Sequence, residues 1–295
     1  MIPVLSAEQV RKADAYTITN EPVASIDLME RASQQCARWL AERFPRVAQP
    51  AFVALCGPGN NGGDGMAIAR LLFAEGHSVR VITCAGDRPF SADAVSNRDR
   101  LTRTAIDVIE LPVGSPLPRI LENEVVLDAL FGTGLDRPLV GWYKDLVMAL
   151  NALTNTVVSI DLPSGLFTGD NSTNDLKAII QAEHVLTFEV PKLALLLPEN
   201  GAFVGQWHRL PIGLDLAFIR GLGSKDLLVE ASDVRELMPD RPRTGHKGTF
   251  GHALLVAGSE GKVGASILAA RACACSGVGL ITAQLPLDLQ PAMHA

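Results

Sequence analysis

Nine consecutive residues, Gly57-Pro-Gly-Asn-Asn-Gly-Gly-Asp-Gly65, carry the densest chemical signal in the chain. Five glycines and two asparagines exceed what a tight strand-to-helix turn needs, even one capped by Asn60 or Asp64, so the tract points to a bound ligand. Glycine lets the backbone approach a ligand closely and adopt positive φ. A helix starting here would add free N–H groups and partial positive charge, enough to hold a phosphate even in an acidic protein. The spacing is neither that of a Walker A loop, which ends Gly-Lys-Ser/Thr, nor the Gly-x-Gly-x-x-Gly fingerprint of dehydrogenases.

Two further tracts repeat the pattern of an aspartate closing an apolar run. In Leu127-Asp-Ala-Leu-Phe-Gly-Thr-Gly-Leu-Asp-Arg-Pro138, Asp128 is followed by a glycine-bearing loop; in Ser159-Ile-Asp-Leu-Pro-Ser-Gly165, Asp161 is followed by Ser164. Either aspartate alone could simply cap a loop. Three polar loops on one sheet edge argue for convergence. The oxygens of Asn61, Asp128 and Ser164 suit a hard cation. Asp161 is the best acid/base candidate, because partial desolvation in a pocket raises a carboxyl pKa toward the working pH.

The elements that must position these loops follow from periodicity and capping. Ser6 and Gln9 make a capping box for a helix over 7–20, and Ser25 is placed to cap another through Phe44. Strands are expected at Ala51–Cys56, Val79–Thr83, Asp107–Leu111, Val125–Leu130, Thr156–Asp161, His184–Phe188 and Trp207–Leu210, with helices at about 64–76, 91–104 and 142–154. This alternation implies an α/β fold: a doubly wound, mostly parallel, Rossmann-like sheet with helices on both faces and ligands at the carboxyl ends of its strands.

At 295 residues the chain exceeds the usual single domain of about 100 to 200 residues, and its 47% hydrophobic and 20% charged content is that of a globular protein. The net charge of -6 and the lack of a basic run oppose nucleic-acid binding. No apolar stretch approaches the roughly 20 residues of a membrane span, and the N-terminus lacks the basic and apolar regions of a signal peptide, so a cytoplasmic location is expected. Five cysteines, mostly in apolar elements, read as reduced core thiols, and Cys273-x-Cys275 lacks the partners of a metal site.

Together the three loop tracts resemble the NAD(P)H-hydrate epimerase family, over residues 1–225, with Leu28-Met-Glu and Phe188-Glu-Val-Pro-Lys192 adding to the likeness. The resemblance implies substrate binding by Asn60, Asn61, Gly62, Gly63 and Asp64, and by Gly132, Thr133, Gly134, Leu135, Asp136, Arg137 and Pro138. It makes Asp161 a further substrate contact and the base, and it implies one potassium ion held by Asn61, Asp128 and Ser164. The implied substrate is a small molecule, NAD(P)H-hydrate, with water added at C6 of the nicotinamide ring. Homo-oligomerisation is left open.

Residues 226–245 read as a polar, proline-containing linker. Beyond it, His246-Lys-Gly-Thr-Phe-Gly-His-Ala-Leu-Leu-Val-Ala-Gly-Ser-Glu-Gly-Lys-Val-Gly-Ala265 is similar to the opening of the ADP-dependent NAD(P)H-hydrate dehydratases, a ribokinase-like α/β domain. Cys275-Ser-Gly-Val-Gly279 departs mildly from that family's pattern. Fifty residues, 246–295, fall far short of the roughly 200 that a nucleotide-binding domain needs, so ADP, Mg2+ and dehydratase activity are not expected of this stretch, and its strand and helix are expected to pack weakly. Two other readings stay open. One is a nicotinamide-dependent dehydrogenase, which would need a second substrate site. The other is a non-enzymatic binding protein on the same fold, against which the presence of Asp161 weighs.

Overall fold

The computed structural model describes residues 1–48, 50–238, 240–289 and 291. The chain divides into two compact units, Met1–Glu230 and Ala231–Ala295. Pro239 of the expected linker, and Gln290 and residues 292–295 of the expected second domain, lie outside the described residues.

In the first unit, β1 (Ile2–Pro3) leads into α1 (Ala7–Asn20) and α2 (Ser25–Arg43). The Ser6–Gln9 capping box starts α1 as expected. Ser25 does not cap α2, because its hydroxyl donates to Asp93 Oδ2 at 2.7 Å; Ala24 occupies the cap position without a side-chain bond. Then follow β2 (Ala51–Cys56), α3 (Asn60–Ala74), β3 (Ser78–Thr83), α4 (Ala92–Leu101), β4 (Asp107–Glu110), β5 (Glu124–Ala129), α5 (Trp142–Asn151), β6 (Val157–Ile160), β7 (Ala182–Phe188), β8 (Val204–Leu210), α6 (Leu216–Gly221) and β9 (Leu227–Leu228). Seven strands form one parallel sheet in the order β4-β3-β2-β5-β6-β7-β8. The chain winds outward from β2 to β4, then restarts at β5 on the other side of β2 and winds to β8. The crevice between β2 and β5 is therefore the point where strand order reverses, where open α/β sheets bind ligands.

Strands buried on both faces read as unbroken apolar runs. Phe52, Ala54, Val81 and Leu127 pack under α2, α3 and α4 with Leu40, Ile68 and Leu72. Val53, Leu55, Val126 and Val185 pack on the opposite face with Leu146, Val147 and Leu150 of α5. A third cluster, with Leu5, Ala13, Leu28, Val190, Ile212 and Leu214, joins α1 to the segment after β7.

The α3 helix begins at Asn60, four residues earlier than the expected start at 64. Asparagine and glycine are poor helix formers, yet packing overrides them: a Cβ on Gly62 would lie 1.9 Å from the Gly57 carbonyl oxygen, and one on Gly57 would lie 1.9 Å from that of Leu130. The glycine tract is thus half loop and half first helical turns, pressed onto the ends of β2 and β5.

The stretch expected as a linker is partly structured. Leu227–Leu228 pairs antiparallel with Ile2–Pro3, and Ala231–Leu237 forms α7. The second unit adds β10 (His252–Val256), α8 (Val263–Cys275) and β11 (Leu280–Gln284), the two strands parallel. Among its described residues only Ser266 is buried, and Leu254, Val256 and Leu268 are each more than 60% exposed. No described helix is long and apolar enough to cross a membrane.

Candidate active site

A cavity of about 880 Å³ opens at the carboxyl edge of the sheet, beside the strand-order reversal. Its polar floor comes from the loops after β2, β5 and β6: Asn60, Asn61 and Asp64; Gly132, Thr133, Gly134, Leu135, Asp136 and Arg137; and Asp161. Gly62, Gly63 and Pro138 do not line it. Gly62 is pressed on Gly57, and Gly63 lies against Met29 and Ala94. The opposite wall is apolar, with Leu5, Val10, Ile18, Leu28, Met29 and Leu214. Exposed Arg11, Arg88 and Arg137 stand at the rim, where guanidinium forks suit phosphate oxygens.

Asp161 directly follows β6 with φ at +67°, a left-handed conformation that a side chain adopts only at a cost. Its N–H donates to the Leu186 carbonyl at 2.7 Å, which ties the turn to β7. The carboxylate is divided between two partners. Oδ1 accepts from the Lys192 ammonium at 2.6 Å, and Oδ2 accepts the backbone N–H of Thr133 at 3.2 Å. Lys192 is fully buried and also donates to Thr187 Oγ1 at 2.8 Å and the Phe188 carbonyl at 3.2 Å, so its three donors are all used. Gly132 leaves the space in front of this group open: a Cβ there would lie 3.1 Å from Asp161 Oδ2 and 3.2 Å from Asn61 Oδ1.

Asp128 and Ser164 lie beneath the cavity floor, both wholly buried. Asp128 Oδ2 accepts from Ser159 Oγ at 2.7 Å and Ser164 N at 2.9 Å, while Oδ1 accepts from Ser164 Oγ at 2.5 Å. Burial pushes the Asp128 carboxyl above its ordinary range, and these hydrogen bonds oppose the rise. Ser164 Oγ also accepts the Phe131 N–H at 2.8 Å and stands 3.1 Å from the Phe131 carbonyl. Asn61 stands against the adjoining Gly132, and its buried Nδ2 has no hydrogen-bond partner. A carboxylate, a hydroxyl, a backbone carbonyl and a carboxamide are thus gathered around one short loop. That donor set fits a large monovalent cation.

Several site residues carry no motif signal of their own. Lys192 was noticeable only within the Phe188–Lys192 likeness, and its role as the partner of Asp161 needs the turn after β7 to be seen. Within that turn Glu189 has φ at +52°, and its Oε2 accepts the N–H groups of Ile212, Gly213 and Leu214 at 2.8, 2.9 and 3.2 Å, which fixes the apolar wall. Asp14 and Arg11 reach the cavity from α1, and Arg88 and Phe90 from the loop after β3. The amphipathic spacing of Val10, Asp14 and Ile18 marks one helical face, yet only the fold shows what that face covers.

Four carboxyl groups line the cavity, Asp14, Asp64, Asp136 and Asp161, beside Lys192 and the three rim arginines. Burial, then the charges of Asp161, Asp14 and Asp93, push Asp64 well above its ordinary range. Burial and the charge of Asp161 push Asp14 up to about 6, with Lys192 opposing. The Lys192 ammonium contacts Asp161 and opposes the rise at Asp14.

A family model described as YjeF-related protein N-terminus matches residues 25–194. The chain is 37% identical over 279 residues to a bifunctional NAD(P)H-hydrate repair enzyme of Thermofilum pendens, covering 94% of this chain and 52% of that protein. It is 31% identical over 292 residues to the counterpart in Moorella thermoacetica, covering 97% of this chain and 55% of the relative. The chain thus spans about half the length of these bifunctional relatives. An NAD(P)H-hydrate epimerase of Limosilactobacillus fermentum is 33% identical over 202 residues, which covers 68% of this chain and 93% of that enzyme. The crystal structure of yeast YNL200c superimposes with a TM-score of 0.63 at 22% identity, over 78% of this chain and 97% of the yeast chain, and so shares its fold.

Proposed function

Because the chain belongs to the family of YjeF-related N-terminal domains, we propose that its first unit is an NAD(P)H-hydrate epimerase, interconverting the R and S hydrates of NADH and NADPH. The observation that carries this reading is the placement of Asp161. A strained, buried carboxylate, held by Lys192 and Thr133, faces an open cavity at the sheet's reversal point and beside the start of α3. In this reading the first turns of α3 and the rim arginines hold the pyrophosphate, and the apolar wall covers the nicotinamide ring. Inverting C6 demands that one of its polar bonds break and re-form, with a proton moved as it does so. Asp161 is the group positioned to move it. There is no net redox change, so the nicotinamide compound is substrate.

Potassium fits the set of Asn61, Asp128 and Ser164, and when bound it would offset the buried Asp128 charge and steady the 131–134 loop. No ADP-dependent dehydration is proposed for this chain.

The deciding experiment supplies isolated R-hydrate to the protein and follows the appearance of S-hydrate by chromatography. Equilibration by the wild type, with a loss of about 10²- to 10⁴-fold in Asp161→Asn, is the expected result. A folded Asp161→Asn protein within tenfold of wild type would assign the chemistry to another group. For potassium, the midpoint of thermal unfolding is expected to rise in KCl relative to choline chloride at equal ionic strength, and not to do so in Ser164→Ala.

A further inference from the structure

The cavity lies between the carboxyl edge of the sheet and α1, and α1 turns one stripe toward it: Val10, Arg11, Asp14 and Ile18. That stripe is held from behind. Tyr16 stacks on Phe218 at 3.9 Å, Thr17 Oγ1 accepts the Asp215 N–H at 3.3 Å, and Gln9 Nε2 donates to the Leu222 carbonyl at 3.2 Å. The position of Asp14 is therefore set by the fold. Among the described residues its carboxyl group makes no hydrogen bond or ion pair. A half-buried carboxyl group without partners, turned into a cavity whose facing wall carries Asp161, is without structural purpose.

We propose that Asp14 is a second acid/base group of this site, serving the face of the substrate ring opposite the one served by Asp161. The proposal rests on the epimerase reading above and deepens it. Two faces must be served because the hydroxyl leaves C6 on one side and returns on the other. In one direction Asp14, protonated, gives its proton to the C6 hydroxyl. The C6–O bond breaks, water departs with the electron pair, and the N1 lone pair makes an N1=C6 bond. Asp161, ionised, takes a proton from a water attacking C6 on the far face, and the N1=C6 pair returns to N1. One water leaves and one enters, and the pair of carboxyl groups ends with its single proton on Asp161. The reverse direction starts from that state.

The charges around Asp14 favour this division. Asp161 is ion-paired with Lys192, while burial and the Asp161 charge push Asp14 up to about 6. Arg11 on α1, Asp64 on α3, and Arg88, Asp136 and Arg137 from the loops line the same cavity. Asp215 caps α6 and Arg220 lies within it, and this helix packs behind α1. The single ammonium is committed to Asp161, whereas among the described residues the Asp14 carboxyl group has no cation in contact with it.

The test compares wild type, Asp14→Asn and Asp14→Glu with isolated R- and S-hydrates of NADH between pH 5 and 8, in water and in H2-18O. The wild type is expected to lose kcat/KM above about pH 6 in both directions, and each turnover is expected to place one solvent oxygen at C6. Asp14→Asn is expected to lose at least 100-fold in kcat, with KM within a few-fold and the limb near pH 6 gone, and Asp14→Glu to recover part of both. A folded Asn variant within tenfold of wild type, a Glu variant no faster than the Asn variant, or retention of the original oxygen through epimerisation overturns the proposal. Inert wild-type protein instead overturns the epimerase reading, and this one with it.

Discussion

Asp161 holds a left-handed backbone that costs about 1–2 kcal/mol, and the surrounding bonds keep it there. Lys192 is the most consequential of these, because its ammonium is buried and every donor is used. Removing one member of a buried pair leaves the other uncompensated, so Lys192→Met is expected to destabilise the first unit by about 3–5 kcal/mol in urea unfolding. Adding Asp161→Asn to it should recover part of that loss; no recovery would show that the pair is not coupled. Asp14 and Asp64 act in the opposite sense. Their folded pKa values lie above those of the unfolded chain, so the folded protein binds more protons, for Asp14 between about pH 4 and 6. Their contribution to stability is present at the acid end and is lost as pH rises through this window. Thermal unfolding between pH 4 and 7 should show this decline weakened in Asp14→Asn; an unchanged decline would exclude Asp14 as a source.

At the scale of elements, the parallel strands were legible because burial on both faces leaves apolar runs such as Ala51–Cys56. The three loops that build the cavity floor were legible for a related reason: glycine, asparagine and aspartate gathered at the ends of apolar strands stand out from the runs before them. The start of α3 was not legible, since helix propensity argues against Asn-Asn-Gly-Gly, and only the close approach of Gly62 to Gly57 explains it. The wall formed by α1, α2 and the 212–214 turn was hidden as well, since an apolar helix face looks the same over a core as over a cavity. Gly62 and Gly59 provide a test of the packing account. Gly62→Ala must displace a backbone carbonyl and is expected to lower the melting midpoint by several degrees or abolish folding, whereas a Cβ on Gly59 meets nothing within 4 Å and Gly59→Ala should cost at most about 1 kcal/mol. Equal melting points for the two variants would refute that account.

At the scale of the whole molecule, the first unit contains all the cavity residues and its own core, while none of the second unit's described apolar side chains is buried. A protein ending at Glu230 is therefore expected to fold cooperatively and to keep the epimerase rate within about twofold; aggregation of that truncated protein would show that the later residues support the first unit. The cavity itself draws on distant parts of the sequence: Leu5 to Ala32 on one side and Phe188 to Leu214 on the other, with Ile2–Pro3 zipped to Leu227–Leu228 beyond them. The spread of the lining residues along the chain governs when the pocket comes into being. A ribosome releases the chain from its N-terminus, so the first helices emerge with their cavity-facing stripe bare and must wait through most of synthesis for the wall they will meet. The central strands can pair meanwhile, but residues 5–32 meet the rest of the cavity wall only once residues 188–214 have cleared the exit tunnel.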